Sequence, residues 1–231
     1  VLFISAPLYD TVAPLLDNHP TIEHVFVVGG AAGNRPRFED RLAEAPPGDA
    51  VAVTGDETAF WLYSSGSTGM PKGVIHVHSS LKGTSDTYAL NVLGIREDDV
   101  VFSVAKLFFA YGLGNAMTFS LAVGATTVLF PGRPTPDAIF EVLETHRPTV
   151  FYAVPTLFAA MLGAAGGGPV PGMDRVRLSV SAGEALPEEI GARWKARHGT
   201  DILDGVGSTE MLHIFLSNVP GDVVYGTSGV P

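Results

Sequence analysis

Residues 135–154 read TPDAIFEVLETHRPTVFYAV, and this stretch holds both halves of a repeating structural unit. Thr135 suits a helix N-cap, Pro136 suits the first helical position, and Ile139, Phe140, Val142 and Leu143 share one face before Pro148 stops the pattern. Residues 150–154 then form a continuous apolar run of the length expected for a buried strand. A helix that hands directly to a strand buried on both faces predicts a parallel sheet covered by helices.

The same alternation extends in both directions. Strand-like runs at 100–104, 125–130, 176–180 and 201–203 are separated by helical patterns. One of these helices starts at Pro187, carries Glu188 and Glu189 in its first turn and Lys195, Arg197 and His198 in its last, and stops at Gly199. Nearer the start, residues 1–5, 8–16 and 24–28 read strand, helix, strand. The expected fold class is therefore α/β, with mostly parallel, doubly wound sheets and flanking helices. In such sheets ligands bind beyond the carboxyl ends of the strands, so the chemistry belongs in the loops that follow them.

Residues 107–132 carry no charge and are long enough to span a bilayer, but Tyr111, Gly112, Gly114, Asn115, Thr118, Ser120 and Gly124 interrupt them. They read as a buried helix followed by a buried strand. Of the 231 residues 46% are hydrophobic and 16% charged, enough apolar material for a sizeable core and too little charge for a disordered chain. The net charge of −10 argues against nucleic-acid or anionic-membrane binding. Without cysteine there is no disulfide, thiolate metal site or cysteine nucleophile. The apolar start at Val1 and the run Gly226-Thr-Ser-Gly-Val-Pro231 suggest an internal piece of a longer polypeptide, with subdomain connections expected near 34–52 and 164–172.

The strongest chemical signal is Tyr63-Ser64-Ser65-Gly66-Ser67-Thr68-Gly69-Met70-Pro71-Lys72-Gly73, which follows an apolar run. Glycines let backbone N–H groups turn toward an anion, the hydroxyls of Ser64, Ser65, Ser67 and Thr68 add donors, and Lys72 adds a mobile charge. Residues 58–85 hold Lys72, His76, His78 and Lys82 and no Asp or Glu, a local reversal of sign that suits a polyphosphate in an otherwise acidic chain. Composition alone fits a flexible Gly/Ser loop equally well. The spacing is not that of a Walker loop, since the second glycine is not followed directly by Lys-Ser or Lys-Thr. Metal-helix, nucleophile-elbow and dinucleotide fingerprints are missing from the sequence.

Taken in order, those eleven residues resemble the phosphate loop of the adenylate-forming superfamily, which includes acyl-CoA synthetases, peptide-synthetase adenylation domains and luciferases. Ser181-Ala182-Gly183-Glu184-Ala185-Leu186-Pro187 resembles the adenine-side loop of that family, and Asp204-Gly205-Val206-Gly207-Ser208-Thr209-Glu210 resembles its Thr-Glu motif. Val206 departs from the common pattern, in which an aromatic residue stacks near the nucleotide. That departure, the continuation into Met211-Leu-His213-Ile214-Phe215, and Lys106-Leu-Phe-Phe-Ala110-Tyr111-Gly-Leu-Gly114 resemble the benzoate-CoA ligase branch.

The resemblance implies ATP-dependent conversion of a small aromatic carboxylate to an acyl-adenylate, with transfer to coenzyme A, in the cytoplasm. It implies catalytic roles for Lys72, Thr209 and Glu210, with Glu210 holding Mg²⁺. Nucleotide contacts fall to Ser64, Ser65, Gly66, Ser67, Thr68, Gly69, Lys72, Gly183, Glu184, Ala185, Asp204, Gly205, Val206 and Thr209. An acyl pocket would use Ala110, Tyr111, Gly207, His213 and Ile214, with His213 approaching the carboxylate or phosphate. Phe108 is expected in the core, Phe109 either in the core or at the pocket, and His76 and His78 either near the loop or capping the next helix. The resemblance places these residues in the centre of a large N-terminal domain and leaves the adenylation lysine to a small C-terminal domain, so the isolated chain is expected to turn over poorly. A ligase for another acid such as hydroxybenzoate, or a non-catalytic nucleotide-binding module, are the alternatives.

Overall fold

The computed structural model describes every residue except Asp17, Asn18, Ala32, Gly66, Ser67 and Thr68. The chain packs as two units, Val1–Ala52 and Val53–Pro231. In the first, β1 (Leu2–Ser5), α1 (Ala6–Leu16) and β2 (Val25–Val28) bring two parallel strands together around Ile4, Leu16, Val25 and Val27. A short helix, α2 (Phe38–Glu44), follows inside the stretch expected to be a bare connection, and Glu39 ties it back by accepting the Gly29 N–H at 2.7 Å.

The second unit opens with an antiparallel hairpin, β3 (Thr58–Ser65) and β4 (Pro71–Val77), in which Ser64 pairs with Lys72 and Ser65 with Pro71. Next come α3 (His78–Thr84), extended by a π-helical turn at Ser85–Leu90, and β5 (Val100–Ser103). The uncharged stretch is helical in three pieces, α4 (Ala110–Leu113), a π-helical turn at Gly114–Thr118 and α5 (Phe119–Val123), which Gly124 ends at φ +79°. Then follow β6 (Thr126–Val128), α6 (Pro136–His146), β7 (Val150–Ala153), α7 (Pro155–Ala164), β8 (Leu178–Ala182), α8 (Glu188–His198), β9 (Ile202–Gly207) and β10 (Ile214–Ser217). Among the described residues no helix is long and apolar enough to cross a membrane.

The main sheet has the order β10-β9-β8-β7-β5-β6, parallel throughout except for β10, which runs antiparallel to β9. Its strands alternate sides and so build two cores. Phe102, Phe151 and Ala153 meet Ile139, Leu143, Phe158, Met161, Leu162 and Trp194 from α6, α7 and α8 on one face. Val101, Val150, Tyr152, Val180 and Leu203 meet Tyr88, Ala89, Leu93 and Phe119 on the other. Because both faces of the sheet are covered, β7 reads as a continuous apolar run, and β8 interrupts its apolar residues only with the small, buried Ser179 and Ser181.

Local sequence sets most boundaries. α6 starts with Pro136, but the Thr135 hydroxyl makes no capping bond, and the helix ends on Arg147 in the left-handed region at φ +47°. Pro187 sits at the N-cap of α8 and not inside it, and Gly199 closes the helix at φ +71°. At the lower rim, buried Asp99 receives Arg177 through two nitrogens, the Thr149 hydroxyl at 2.7 Å and the Arg96 N–H at 2.8 Å, which joins the beginnings of β5, β7 and β8. The last residues are knitted to β9 by Asn218, whose amide donates to the carbonyls of Asp204 and Thr227 and accepts the Val224 N–H.

Candidate nucleotide and acyl site

The parallel strands bring their carboxyl ends to one rim, and a cavity of about 220 Å³ opens there. Phe109, Ala110 and Tyr111 reach it from the segment after β5, Ala182 and Gly183 from the end of β8, and Gly207, Thr209, His213 and Ile214 from the turn between β9 and β10. Two neighbouring pairs about a hundred residues apart and expected in an acyl pocket, Ala110-Tyr111 and His213-Ile214, thus share one wall system with Gly207. Tyr111 is fixed from below, because its hydroxyl lies 3.1 Å from the Val180 carbonyl and 3.3 Å from that of Ala153.

His213 is buried among rings, with centroids 4.5 Å from Phe119, 5.3 Å from Tyr88 and 5.6 Å from Tyr111. Burial pulls its imidazole down to about 3, with the Tyr111 carbonyl opposing, so the ring is neutral at ordinary pH. It therefore brings no positive charge to a carboxylate or phosphate. Its Nε2 lies 3.0 Å from Asn115 Oδ1. Asn115 was not singled out in the sequence, where it is one polar residue in a long uncharged run.

Phe108 is 70% exposed, which overturns its expected core position, while Phe109 borders the cavity. Phe108 sits inside the turn that the Phe109 N–H closes on the Lys106 carbonyl at 3.1 Å, with its ring beside Phe109, centroids 4.5 Å apart, and outside the sheet's two cores. Lys106, in the same motif, is engaged by the Phe130 and Gly132 carbonyls and lies over the Phe130 ring.

The Thr-Glu segment is a hairpin tip. Gly205 and Gly207 lie where β10 presses closest: a Cβ on Gly205 would stand 2.7 Å from Ile214 Cγ2, and one on Gly207 would stand 2.7 Å from the His213 carbonyl oxygen. Beyond them Thr209 is partly exposed and Glu210 exposed. Val206 is 40% exposed on β9. The Asp204 carboxyl, by contrast, turns inward, where Oδ2 lies 3.5 Å from the Leu186 N–H nitrogen and accepts the Ser228 hydroxyl at 3.3 Å. Burial, the larger effect, pushes it above the ordinary carboxylate range. It braces the 183–187 loop from behind, and Gly183 (φ +92°), Glu184 and Ala185 form that loop's exposed crest.

Of the glycine-rich loop, Gly66, Ser67 and Thr68 lie outside the described residues. Its flanks are set by the hairpin, with Ser64 opposite Lys72 and Gly69 at φ +81°. His76 and His78 cap nothing: His78 is the first residue of α3, whose N-cap is Val77 without a side-chain bond, and His76 is buried on β4. Among the described residues no cluster of three or more His, Asp or Glu side chains could hold a metal alone.

The AMP-binding enzyme model matches residues 2–231. The chain belongs to the AMP-binding enzyme family. Within that family it is 57% identical to the benzoate-CoA ligase of Thauera aromatica, an alignment that covers 100% of this chain and 44% of the relative. It is 50% identical to the 4-hydroxybenzoate-CoA/benzoate-CoA ligase of Rhodopseudomonas palustris, covering 100% and 43%. Among solved structures of AMP-binding relatives, the anthranilate CoA ligase AuaEII in complex with anthranoyl-AMP superposes with a TM-score of 0.94 at 38% identity, covering 100% of this chain and 45% of that one. The chain thus spans less than half the length of the relatives it matches. The mostly parallel α/β fold is the one these relatives share.

Proposed function

We propose that this chain supplies the nucleotide and acyl faces of an ATP-dependent acid-thiol ligase for a benzoate-class acid. The supporting observation is the 220 Å³ cavity lined by Ala110, Tyr111, His213 and Ile214 and bordered by Thr209. Its volume is below the roughly 300 Å³ at which drug-sized pockets begin, which suits a single ring. The apolar walls would hold the ring, and the carboxylate would point toward Thr209 and the phosphate loop.

In the first half-reaction a carboxylate oxygen attacks the α-phosphorus of ATP, the bond to the bridging oxygen breaks, and pyrophosphate leaves. Lys72, the amides of residues 66–69 and the Thr209 hydroxyl would offset charge on the phosphates. The exposed carboxylate of Glu210 fits Mg²⁺ arriving with ATP, a cation that keeps phosphate and water oxygens around one or two carboxylates. In the second half-reaction the thiolate of coenzyme A attacks the acyl carbon and AMP leaves. We place this chemistry in the cytoplasm, where both co-substrates are supplied. The adenylation lysine would come from parent sequence outside these residues, since the relatives extend well beyond the aligned region.

Hydroxybenzoate is the second reading, favoured by the dual-named Rhodopseudomonas palustris relative. Thermal unfolding with AMP, benzoate, 4-hydroxybenzoate and a stable benzoyl-adenylate mimic tests both. With all ligands at one concentration, set at about 100 times the Kd of the mimic, the mimic should add about 2.7 kcal/mol and exceed either half alone. A shift with AMP only would favour a nucleotide-binding module, and no shift with any ligand would refute binding by this chain.

A further inference from the structure

His76 is buried on β4 against Phe60, with ring centroids 5.2 Å apart, and its Nε2 lies 2.9 Å from the carbonyl oxygen of Thr209. A carbonyl can only accept, so Nε2 carries the hydrogen and the tautomer is fixed by geometry. The same carbonyl accepts the Leu212 N–H at 3.1 Å and closes the turn 209–212. In that turn the Ser208 hydroxyl accepts the Met211 N–H at 3.2 Å, and Leu212, buried, sits in the left-handed region at φ +63°. A non-glycine residue held there is strained and persists only where its surroundings impose it. His76 is part of that imposition.

On the same strand, four residues earlier, stands Lys72, opposite Ser64. Alternation puts Lys72, Val74 and His76 on one face, and a strand of this length is stiff, about 13 Å from Lys72 to His76. One end of β4 therefore leads from the glycine-rich loop and the other is bonded to the backbone of the Thr-Glu turn.

We propose that His76 is a positioning residue that fastens the Thr209-Glu210 turn to the hairpin presenting the phosphate loop. It fixes the Thr209 hydroxyl and Glu210 carboxylate relative to Lys72. The assignment of those groups to Mg·ATP rests on the proposed function, but the fastening itself does not.

Two variants of the full chain separate the bond from the packing. His76→Phe keeps a ring against Phe60 and removes the donor, and His76→Gln keeps a donor of similar reach. Amide exchange at Leu212 should accelerate about tenfold or more in His76→Phe relative to amides of β7, and return toward wild type in His76→Gln. Calorimetric affinity for Mg·ATP should fall about tenfold in His76→Phe while AMP affinity holds, with glutamine restoring most of it. Unchanged Leu212 exchange in a folded His76→Phe protein overturns the fastening. Equal losses of AMP and Mg·ATP, or no rescue by glutamine, overturn the positioning role. If wild type binds neither nucleotide, the proposed function fails while the exchange data still decide the fastening. If His76→Phe does not fold, the ¹⁵N shifts of the wild-type imidazole decide it: a protonated Nε2 sustains the bond and a bare Nε2 refutes it.

Discussion

His213 Nε2 and Asn115 Oδ1 meet at 3.0 Å beside the cavity at the carboxyl rim, and both side chains are buried. The pair holds the imidazole as a neutral, oriented wall. Because burial brings its value to about 3, the unfolded chain, near 6.5, binds the proton that the folded one refuses. Stability from this group is therefore complete above about pH 6.5 and lost as pH falls toward 3, by up to about 1.4 kcal/mol per pH unit. Urea midpoints of wild type and His213→Phe between pH 7 and 4 should converge as pH falls, and parallel curves would contradict this.

Gly114 leaves room for that ring. A Cβ there would stand 2.3 Å from His213 Cδ2 and 3.1 Å from Phe119 Cζ. Gly114→Ala should displace the imidazole and weaken the benzoyl-adenylate mimic about tenfold or more, while AMP affinity stays within about twofold. Calorimetry with the two ligands checks it.

Ala110 lines the cavity with a small side chain. Ala110→Phe should fill the space a ring would use. Benzoate and the mimic should lose at least about tenfold in affinity, with thermal stability unchanged within about 1 kcal/mol because the added ring enters open volume. Retained benzoate binding would place the ring elsewhere.

Asp99 has a side chain only 1% exposed, against 31% for its partner Arg177. Burial works to raise the Asp99 carboxyl, but the bonds from Arg177, Thr149 and the Arg96 N–H outweigh it and hold it below the ordinary range. This contribution is present above the unfolded carboxylate value and is lost as acid takes the pH through the folded one. Arg177→Met strands a buried carboxylate and should cost about 3 kcal/mol in urea unfolding at pH 7. Adding Asp99→Leu should recover part of that loss.

The main sheet was legible because both faces of its central strands are covered, which turns residues 150–154 into an unbroken apolar run. Strand β10 was not, since its pairing is dictated by the bare backbone of Gly205 and Gly207 on its neighbour, and those glycines read equally as a nucleotide turn. The convergence of Ala110, Tyr111, His213 and Ile214 could be named from motif resemblance, but their spacing along the chain contains no hint of it. Asn115 and the true setting of His76 stayed hidden because each depends on one partner about a hundred residues or more away. Phe108 misled because an aromatic side chain usually signals core, and local chain reversal overrode that preference. The left-handed Arg147 and Leu212 carry no glycine to announce them.

Reversal of β10 against an otherwise parallel sheet has a mechanical consequence. A crossover loop leaves the rim for the far face and can swing, whereas the acidic turn leaves and re-enters the same edge through laddered backbone on both sides. Glu210 consequently rides on a staple, not on a lid. Whatever meets this carboxylate meets a turn held by the ladder on both sides, the stationary jaw of any grip it makes.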